Sequence, residues 1–335
     1  MAHSHLGLAL WDKGRLDEAI AECREAIRLD KNNAAAHTNL GLALQSKGRL
    51  DEAIAEYREA IEINENLPKV HCKAHYNLGN ALREKGDFPG AIAEYRQAIA
   101  LDPDYAFAHC NLGLALWRYQ GEFRQALEEL RRGHELGAKD SRWRYPSAQW
   151  VRQCERLVEL DTRLPDFLAG NATPASPAER IELAGLCSLK RLHGAATRFY
   201  EQAFAADPKL AEHVDAHRYN AACAAALAGC GQGKDADQLE DSERRSLRRQ
   251  ALDWLRADLA AWERVLEKQP KDRPAATVTK ALQHWLVDPD FAGVRGPQTL
   301  AMLTDAERQP WQDLWDRVAA TVARATATPE KKGAK

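Results

Sequence analysis

The chain has 335 residues, of which 45% are hydrophobic, and its formal net charge is −2. That hydrophobic share is close to the average of globular proteins. The near-neutral charge excludes a global attraction to nucleic acid or to acidic membrane surfaces. The longest run of small apolar residues, 221–229, is far shorter than the ~20 residues that span a bilayer. We therefore expect no nucleic-acid partner and no membrane partner.

Seven cysteines are scattered along the chain, and no two of them form a CxxC pair. An odd number of separated cysteines indicates reduced thiols rather than a disulfide framework. The N-terminus also lacks the charged, apolar and small-residue order of a signal peptide. These features predict a cytoplasmic protein.

Four segments in the N-terminal part of the chain align with one another. Their shared Leu-Gly pair recurs at steps of 34, 38 and 34 residues, with its glycine at Gly7, Gly41, Gly79 and Gly113. The longer step contains a four-residue insertion around 68–71. We count each repeat so that this glycine is position eight. A 34-residue unit of helix A, turn and helix B is the period of tetratricopeptide (TPR) repeats, so residues 1–137 resemble the TPR family.

Small residues recur at fixed places within these units. The predicted crossing of helix B over helix A has Ala19, Ala53, Ala91 and Ala126. The predicted end of helix A has Gly14, Gly48 and Gly86. The fourth repeat has one extra residue before Gly121. The resemblance implies an all-α fold, a right-handed TPR superhelix (α-solenoid) with divergent repeats in its C-terminal half.

The second half of the chain follows the same pattern less closely. Residues 178–208 fit the template without a gap, 217–229 indicate a further helix A, and 242–268 indicate its helix B. A stretch with three prolines, 165–177, is typical of a linker.

The domain organisation follows from these segments. We predict four repeats in 1–140, divergent TPR-like repeats in 141–272, capping helices in 273–327 and a disordered tail at 328–335. Repeat arrays need an atypical last unit to cover their apolar face, and Trp285, Trp311 and Trp315 suit that role. The first repeat lacks the beginning of helix A, so we expect that the chain is part of a longer protein or has a misplaced start codon.

The candidate binding residues lie on helix A, which in the TPR family lines the concave groove. Position six is occupied by Asn39, Asn77, Asn111 and, in the divergent half, Asn220. A carboxamide donates and accepts hydrogen bonds, so a row of them can bind the backbone of an extended peptide. The alternative is that these asparagines only cap or solvate the helices. Trp11 and Trp117 share position twelve, where they either anchor a partner or pack on a neighbouring loop.

Other motifs indicate structure rather than chemistry. His3, His37, His75 and His109 share one repeat position, so they cannot converge on one metal ion. The segment GCGQGK, 229–234, lacks the first glycine, the Ser/Thr and the preceding strand of a phosphate-binding loop. The arginine-rich run 244–249 is typical of a solvated helix face. We expect no cofactor, no metal and no catalytic activity.

The sequence therefore predicts a non-catalytic interaction scaffold that binds peptides or partner helices in its groove. An alternative rests on YNAACAAALAG, ERRSLRRQALDWLRADLAAW and HWLVDPDFAGVR. These segments resemble the tail that follows TPR arrays in multidomain bacterial serine/threonine protein kinases, over about 140–325. That resemblance implies a docking part of a larger kinase. The GRLDEAIAEYREAI pattern also resembles the repeats of protein O-GlcNAc transferases, a third interpretation.

Overall fold

The computed structural model describes residues 2–63, 68–212, 217–268 and 273–326. Within these ranges the chain is helical and has no β-strand, which confirms the predicted all-α fold. The helices form two compact units, Met1–Glu159 (unit 1) and Leu160–Lys335 (unit 2). The predicted disordered tail, 328–335, lies outside the described residues.

Unit 1 contains four helix pairs followed by the first half of a ninth helix. The pairs are α1 (Ala2–Asp12) with α2 (Leu16–Leu29), α3 (Ala34–Ser46) with α4 (Leu50–Glu62), α5 (Pro68–Lys85) with α6 (Phe88–Leu101), and α7 (Ala106–Ala115) with α8 (Phe123–Gly137). The ninth is α9 (Ser147–Leu168). The inserted residues 68–71 are thus the first turn of α5 and not a loop.

Glycine ends helix A in each regular repeat because the backbone there is left-handed. Gly48 has φ 74°, and the N–H of Arg49 donates to the carbonyl of Leu44 at 3.0 Å. This is the hydrogen bond that closes a Schellman motif, in which a residue without Cβ avoids a steric cost. Gly14 and Gly86 have the same conformation, so the predicted helix ends are confirmed.

A second glycine in each repeat lets helix A approach helix B closely. A Cβ built on Gly41 would lie 2.5 Å from Cε1 of Tyr57, and one on Gly79 would lie 2.7 Å from Cε1 of Tyr95. Both tyrosine rings are fully buried. The Leu-Gly pair is therefore a packing requirement, since any side chain at position eight would meet the residue that fills the space between the helices.

The fourth repeat accommodates its extra residue in a π-helical turn, Leu116–Gln120. The hydrogen bond that closes the turn now runs from the N–H of Glu122 to the carbonyl of Leu116 at 3.2 Å, so it encloses one more residue than in the other repeats. Gly121 still ends the helix, with φ 68°. The insertion thus widens the end of helix A and leaves the pairing of α7 with α8 intact.

Unit 2 begins inside α9 and is also helical. Its further helices are α10 (Pro177–Leu189), α11 (His193–Ala206), α12 (Lys209–Glu212), α13 (His217–Gly229), α14 (Asp241–Lys268), α15 (Arg273–Val287), α16 (Pro297–Leu300) and α17 (Asp305–Thr326). Short 3-10 segments precede α14 and α16, at Ala236–Gln238 and Pro289–Val294. The helices predicted at 217–229 and 242–268 correspond to α13 and α14.

Two predicted boundaries differ from the structure. The linker at 165–177 is wrong at its start, because α9 continues to Leu168 with Pro165 inside it. Pro165 lies in the last turn of α9, and the helix ends three residues after it. The boundary expected at 140 instead falls within α9, because Cys154 packs in the core of the regular repeats whereas Leu160 belongs to unit 2.

The core of the C-terminal region is built on tryptophan. Trp311 is 1% exposed, its ring lies 6.0 Å from that of Trp315, and both pack with Trp285 against residues of α13 and α14. The arginine-rich face of α14 is not fully solvated, since the Arg248 side chain is 14% exposed and bonds Glu307 at 2.8 Å. That prediction is corrected, because α17 supplies a carboxylate which the sequence pattern alone does not place beside α14.

Candidate binding groove

Two of the position-six asparagines, Asn39 and Asn111, link their helix A to the helix A before it. The Asn39 amide donates to the carbonyl and the hydroxyl oxygen of Ser4, both at 3.1 Å. The Asn111 amide donates to Oδ1 of Asn80 at 2.8 Å and to the hydroxyl of Tyr76 at 3.2 Å. These two asparagines therefore lie on one surface, formed by α1, α3, α5 and α7, which we call the helix-A face.

Two pockets open on the helix-A face, and each contains a position-six asparagine. The pocket around Asn39 has about 210 Å³ and is lined by Ser4, His5, Leu8, Asn33, Ala35, Thr38, Asn39, Val70 and Lys73. The larger one, which we call the Asn111 pocket, has about 420 Å³. It is lined by Gln45, Tyr76, Asn80, Arg83, Asn111, Leu114, Ala115, Arg118, Tyr119, Tyr145 and Trp150.

The other predicted site residues are not brought to these pockets. Asn77 is half-buried on α5, and Asn220 is exposed on α13 in unit 2. The indole of Trp11 donates to the hydroxyl of Ser46 at 2.8 Å, and Trp117 packs against the core of the regular repeats. Neither tryptophan is among the described lining residues of the two pockets. The structure thus gives both indoles a packing environment.

Sequence reasoning missed four polar residues of the Asn111 pocket: Gln45, Asn80, Arg83 and Arg118. Gln45 and Arg83 occupy position twelve, the position that Trp11 and Trp117 hold in the first and fourth repeats. Arg118 lies in the π-helical turn that the extra residue creates. The repeat position alone would have predicted Gln45 and Arg83, because they occupy the same position as the two tryptophans and differ only in being polar.

Aromatic rings form one continuous wall beside the Asn111 pocket. Tyr76 lies 6.3 Å from Phe107, which lies 5.2 Å from Tyr145, and Tyr145 lies 5.5 Å from Trp150 in an edge-to-face arrangement. Aromatic side chains offer a large contact area at a low entropic cost, which makes them good interface anchors. Burial raises the pKa of Tyr76 well above its usual range, so its hydroxyl stays neutral.

The position-four histidines are each paired with a glutamate of helix B. The pairs are His3 with Glu22, His37 with Glu56, His75 with Glu94, and His109 with Glu129, with N–O distances of 2.6 to 2.7 Å. His37 and His109 also face the backbone carbonyls of Lys31 and Pro103 through Nε2. Both ring nitrogens of these two residues thus face acceptors, an arrangement that fits the doubly protonated imidazolium.

Local charges shift the pKa of the two most buried histidines. Burial lowers the pKa of His37, but the hydrogen bond and charge of Glu56, together with the Lys31 carbonyl, outweigh it, so the pKa is raised. The same balance holds for His109, where burial is outweighed by Glu129 and the Pro103 carbonyl. These pairs connect helix A to helix B in each regular repeat, which is a structural role.

In unit 2 one described group combines donor atoms that metal ions use: Cys223, Asp288 and Asp290, with all ligand atoms within 4.8 Å of one another. The Asp288 carboxylate already accepts the N–H of Asp290 at 2.9 Å and the hydroxyl of Tyr219 at 2.5 Å. It thereby caps the 3-10 segment that follows it. These contacts account for the carboxylate without an ion.

The glycine-rich segment at 229–234 follows a helix and packs on its own unit. The N–H of Lys234 donates to the carbonyl of Arg191 at 2.7 Å, which fixes the loop against the turn between α10 and α11.

In the described part of the chain, no helix combines the length and apolar character needed to cross a membrane.

The regular repeats are similar to a known protein family. The family described as TPR repeat matches residues 7–48, 44–82 and 79–119. A comparison with curated proteins gives no match. Among solved structures, a MamA protein is 20% identical with a TM-score of 0.36, covering 63% of this chain and 93% of that one.

Two further solved structures show a similar level of likeness. The pilF protein of Pseudomonas aeruginosa is 17% identical with a TM-score of 0.38, covering 82% of this chain and 93% of that one. A mutant O-GlcNAc transferase of Thermobaculum terrenum is 27% identical with a TM-score of 0.34, covering 39% of this chain and 25% of that one. Together, the matched family and the helix pairs of unit 1 identify residues 7–119 as tetratricopeptide repeats.

Proposed function

We propose that the regular repeats form a non-catalytic module which binds extended peptide segments of other proteins along the helix-A face. The observation that supports this function is the pair of open pockets on that face, each lined by a position-six asparagine. Carboxamides and hydroxyls in these pockets can bond a peptide backbone, and aromatic rings can hold its side chains. Reduced cysteines support a cytoplasmic location, since all seven are free and six are buried.

The test is a selection of random twelve-residue peptides displayed on phage, with the full chain as bait. Enriched peptides are then synthesised, and their dissociation constants are measured by fluorescence anisotropy. We expect N39A/N111A to bind about tenfold more weakly, because each lost hydrogen bond contributes about 0.5–1.5 kcal/mol. N220A is the matched control and should bind as the wild type does, since Asn220 is exposed in the other unit.

The double variant must stay folded for this result to count. Asn39 and Asn111 bond neighbouring helices, so a loss of stability of about 0.5–1.5 kcal/mol for each is expected. Circular dichroism at the assay temperature establishes that the variant is still helical. A wild-type chain that enriches no peptide, or a folded N39A/N111A that binds every peptide as tightly as the wild type, would contradict the proposal.

The kinase alternative rests on the resemblance of 140–325 to the tails of multidomain kinases. It predicts that the native polypeptide is much larger than the 37.4 kDa of this chain. An immunoblot of cell extract with an antibody against residues 140–320 measures that size. A band near the mass of this chain would contradict the alternative, whereas a much larger band would support a docking arm of a larger enzyme.

A further inference from the structure

We propose that the Asn111 pocket selects an acidic side chain of the bound peptide and holds its carboxylate with Arg83 and Arg118. This inference rests on the proposed function, since it names the chemistry of the peptide that the helix-A face takes. It assigns specificity to two residues outside the asparagine row.

The lining of the Asn111 pocket carries two guanidinium groups and no carboxylate. The whole chain has 49 acidic and 47 basic residues, so this imbalance is local. A third pocket of unit 1 shows the more usual mixture, because Arg58 and Lys85 line it together with Asp51 and Asp87. A concave site with one sign of charge focuses its field on ligands of the opposite sign.

A carboxylate outside the lining, that of Glu84, already bonds a lining residue. Glu84 accepts a hydrogen bond from Nε2 of Gln45 at 2.9 Å, and it is not itself a lining residue. Several other arginines of unit 1 pair with carboxylates: Arg15, Arg28, Arg49, Arg131 and Arg132. Among the described ion pairs, Arg83 and Arg118 have no such partner. Both side chains are exposed, so they can reach a ligand without breaking an existing pair.

The π-helical turn is what brings Arg118 to the pocket. The other repeats have Asp12, Ser46 and Glu84 directly after position twelve, so none of them offers a cation there. The extra residue of the fourth repeat widens the turn, and Arg118 and Tyr119 from it both line the pocket. Tyr119 is held by a parallel stack on Phe88, with ring centroids 3.4 Å apart. Irregular helical turns of this kind occur frequently at functional sites.

A carboxylate fits this site better than a neutral amide. Arginine forms charge-assisted, commonly bidentate hydrogen bonds with carboxylates, and these are roughly twice as strong as bonds between neutral groups. The net charge of the whole chain is −2, so it does not attract anions globally, and a preference for acidic peptides has to come from these two side chains. The aromatic wall is placed to contact the residues next to the acidic one.

The test uses peptides selected on the wild-type chain. Each leading acidic peptide is compared with its Asp→Asn and Glu→Gln counterpart by fluorescence anisotropy at 50 and 200 mM salt. We expect the acidic form to bind about tenfold more tightly and to lose more affinity at the higher salt. R83Q/R118Q should abolish this difference while still binding the amide form, because the asparagines remain in place.

The matched control is R58Q/R96Q, which removes the same charge from exposed arginines of α4 and α6. It should keep the preference for the acidic form. Selected peptides without acidic residues, or an acid preference that survives in R83Q/R118Q, would overturn the inference and leave peptide binding itself intact. Equal loss in R58Q/R96Q would likewise overturn it, because it would show a general charge effect. If no peptide is selected at all, the proposed function fails and this inference fails with it.

Discussion

The regular repeats of unit 1 and the divergent pair α10–α11 of unit 2 reach the same local geometry with different residues. In both, a Schellman hydrogen bond closes the turn between helices A and B. It runs from Arg49 to Leu44 at 3.0 Å in the second repeat and from Leu192 to Cys187 at 2.8 Å in unit 2. The left-handed residue of that turn is a glycine in unit 1 and Arg191, with φ 60°, in unit 2.

The close approach of the two helices differs in the same way. Position eight is Gly41 in the second repeat, directly against the ring of Tyr57. In unit 2 the corresponding residue is Ala184, which is buried, and the glycine has moved one place to Gly185, where an added Cβ would meet nothing within 4 Å. Position eight thus accepts the Cβ of an alanine in unit 2, although the second repeat has a glycine there. The left-handed turn is kept in both units, even where Arg191 pays a steric cost for it.

The polar pair at position four differs in its response to pH. The regular repeats use histidine with glutamate, whereas α13 has Arg218, which bonds Asp258 of α14 at 2.5 Å. Burial raises the pKa of Asp258, although Arg218 opposes this. Arginine stays charged at any ordinary pH, but histidine changes its charge near neutrality. Unit 1 therefore contains a titratable connection between its helices that this part of unit 2 lacks.

The largest effect that tests this comparison comes from one methyl group at position eight. Gly41→Ala should lower the free energy of unfolding by about 1–3 kcal/mol, because the new Cβ would lie 2.5 Å from the Tyr57 ring. Gly185→Ala is the matched control, since its Cβ enters open space on a helix. It should leave stability unchanged or raise it by about 0.5–1 kcal/mol. Urea unfolding followed by circular dichroism measures both, and equal effects would refute the packing role of Gly41.

The turn residue gives a smaller effect of the opposite sign. Arg191→Gly should stabilise unit 2 by about 1 kcal/mol, because it relieves a left-handed backbone that L-residues disfavour. The reverse change, Gly48→Arg, places a side chain on the same backbone conformation in open space and should cost about as much. Thermal unfolding of both variants measures whether the gain in stability of one equals the loss of the other. A destabilised Arg191→Gly would show that the arginine side chain makes a contribution larger than the strain.

The smallest effect is a pH dependence confined to the histidine pairs. The folded state raises the pKa of His37 and His109, so their stabilisation is complete below the unfolded value of about 6.5 and is lost as pH rises through the folded value. Stability should thus fall between pH 6 and pH 8. The groups facing His37 are Glu56, Glu59 and the Lys31 carbonyl.

The variant that tests this dependence is H37Q/H109Q, which keeps a hydrogen-bonding side chain but cannot titrate. His109 faces Glu129, the Pro103 carbonyl and Arg132, of which only Arg132 opposes protonation. Urea unfolding at the two pH values should show a smaller loss of stability in the variant than in the wild type. An identical loss in both proteins would mean that other groups cause the pH dependence.

The sequence by itself determined the repeats and their helices. The spacing of Leu-Gly pairs and of turn glycines predicted the helix pairs of unit 1, because a left-handed turn and a close helix crossing each require a residue with little or no side chain. The same template located α10 and α11 despite Arg191 and Ala184, since most of its positions were still matched. These are local requirements, so they can be read from residues that are near one another in the chain.

Only the tertiary structure decided which of these positions meet in one pocket and where unit 1 ends. Gln45, Arg83 and Arg118 come from three successive helix A segments, and packing brings them to one site with Trp150 of α9. The residue after position twelve differs from repeat to repeat, so the repeat pattern shows which face a residue is on but not which neighbours share a pocket. Likewise, the first half of α9 packs with the regular repeats through Cys154 and the helix continues past Pro165 to Leu168, which the local pattern did not predict.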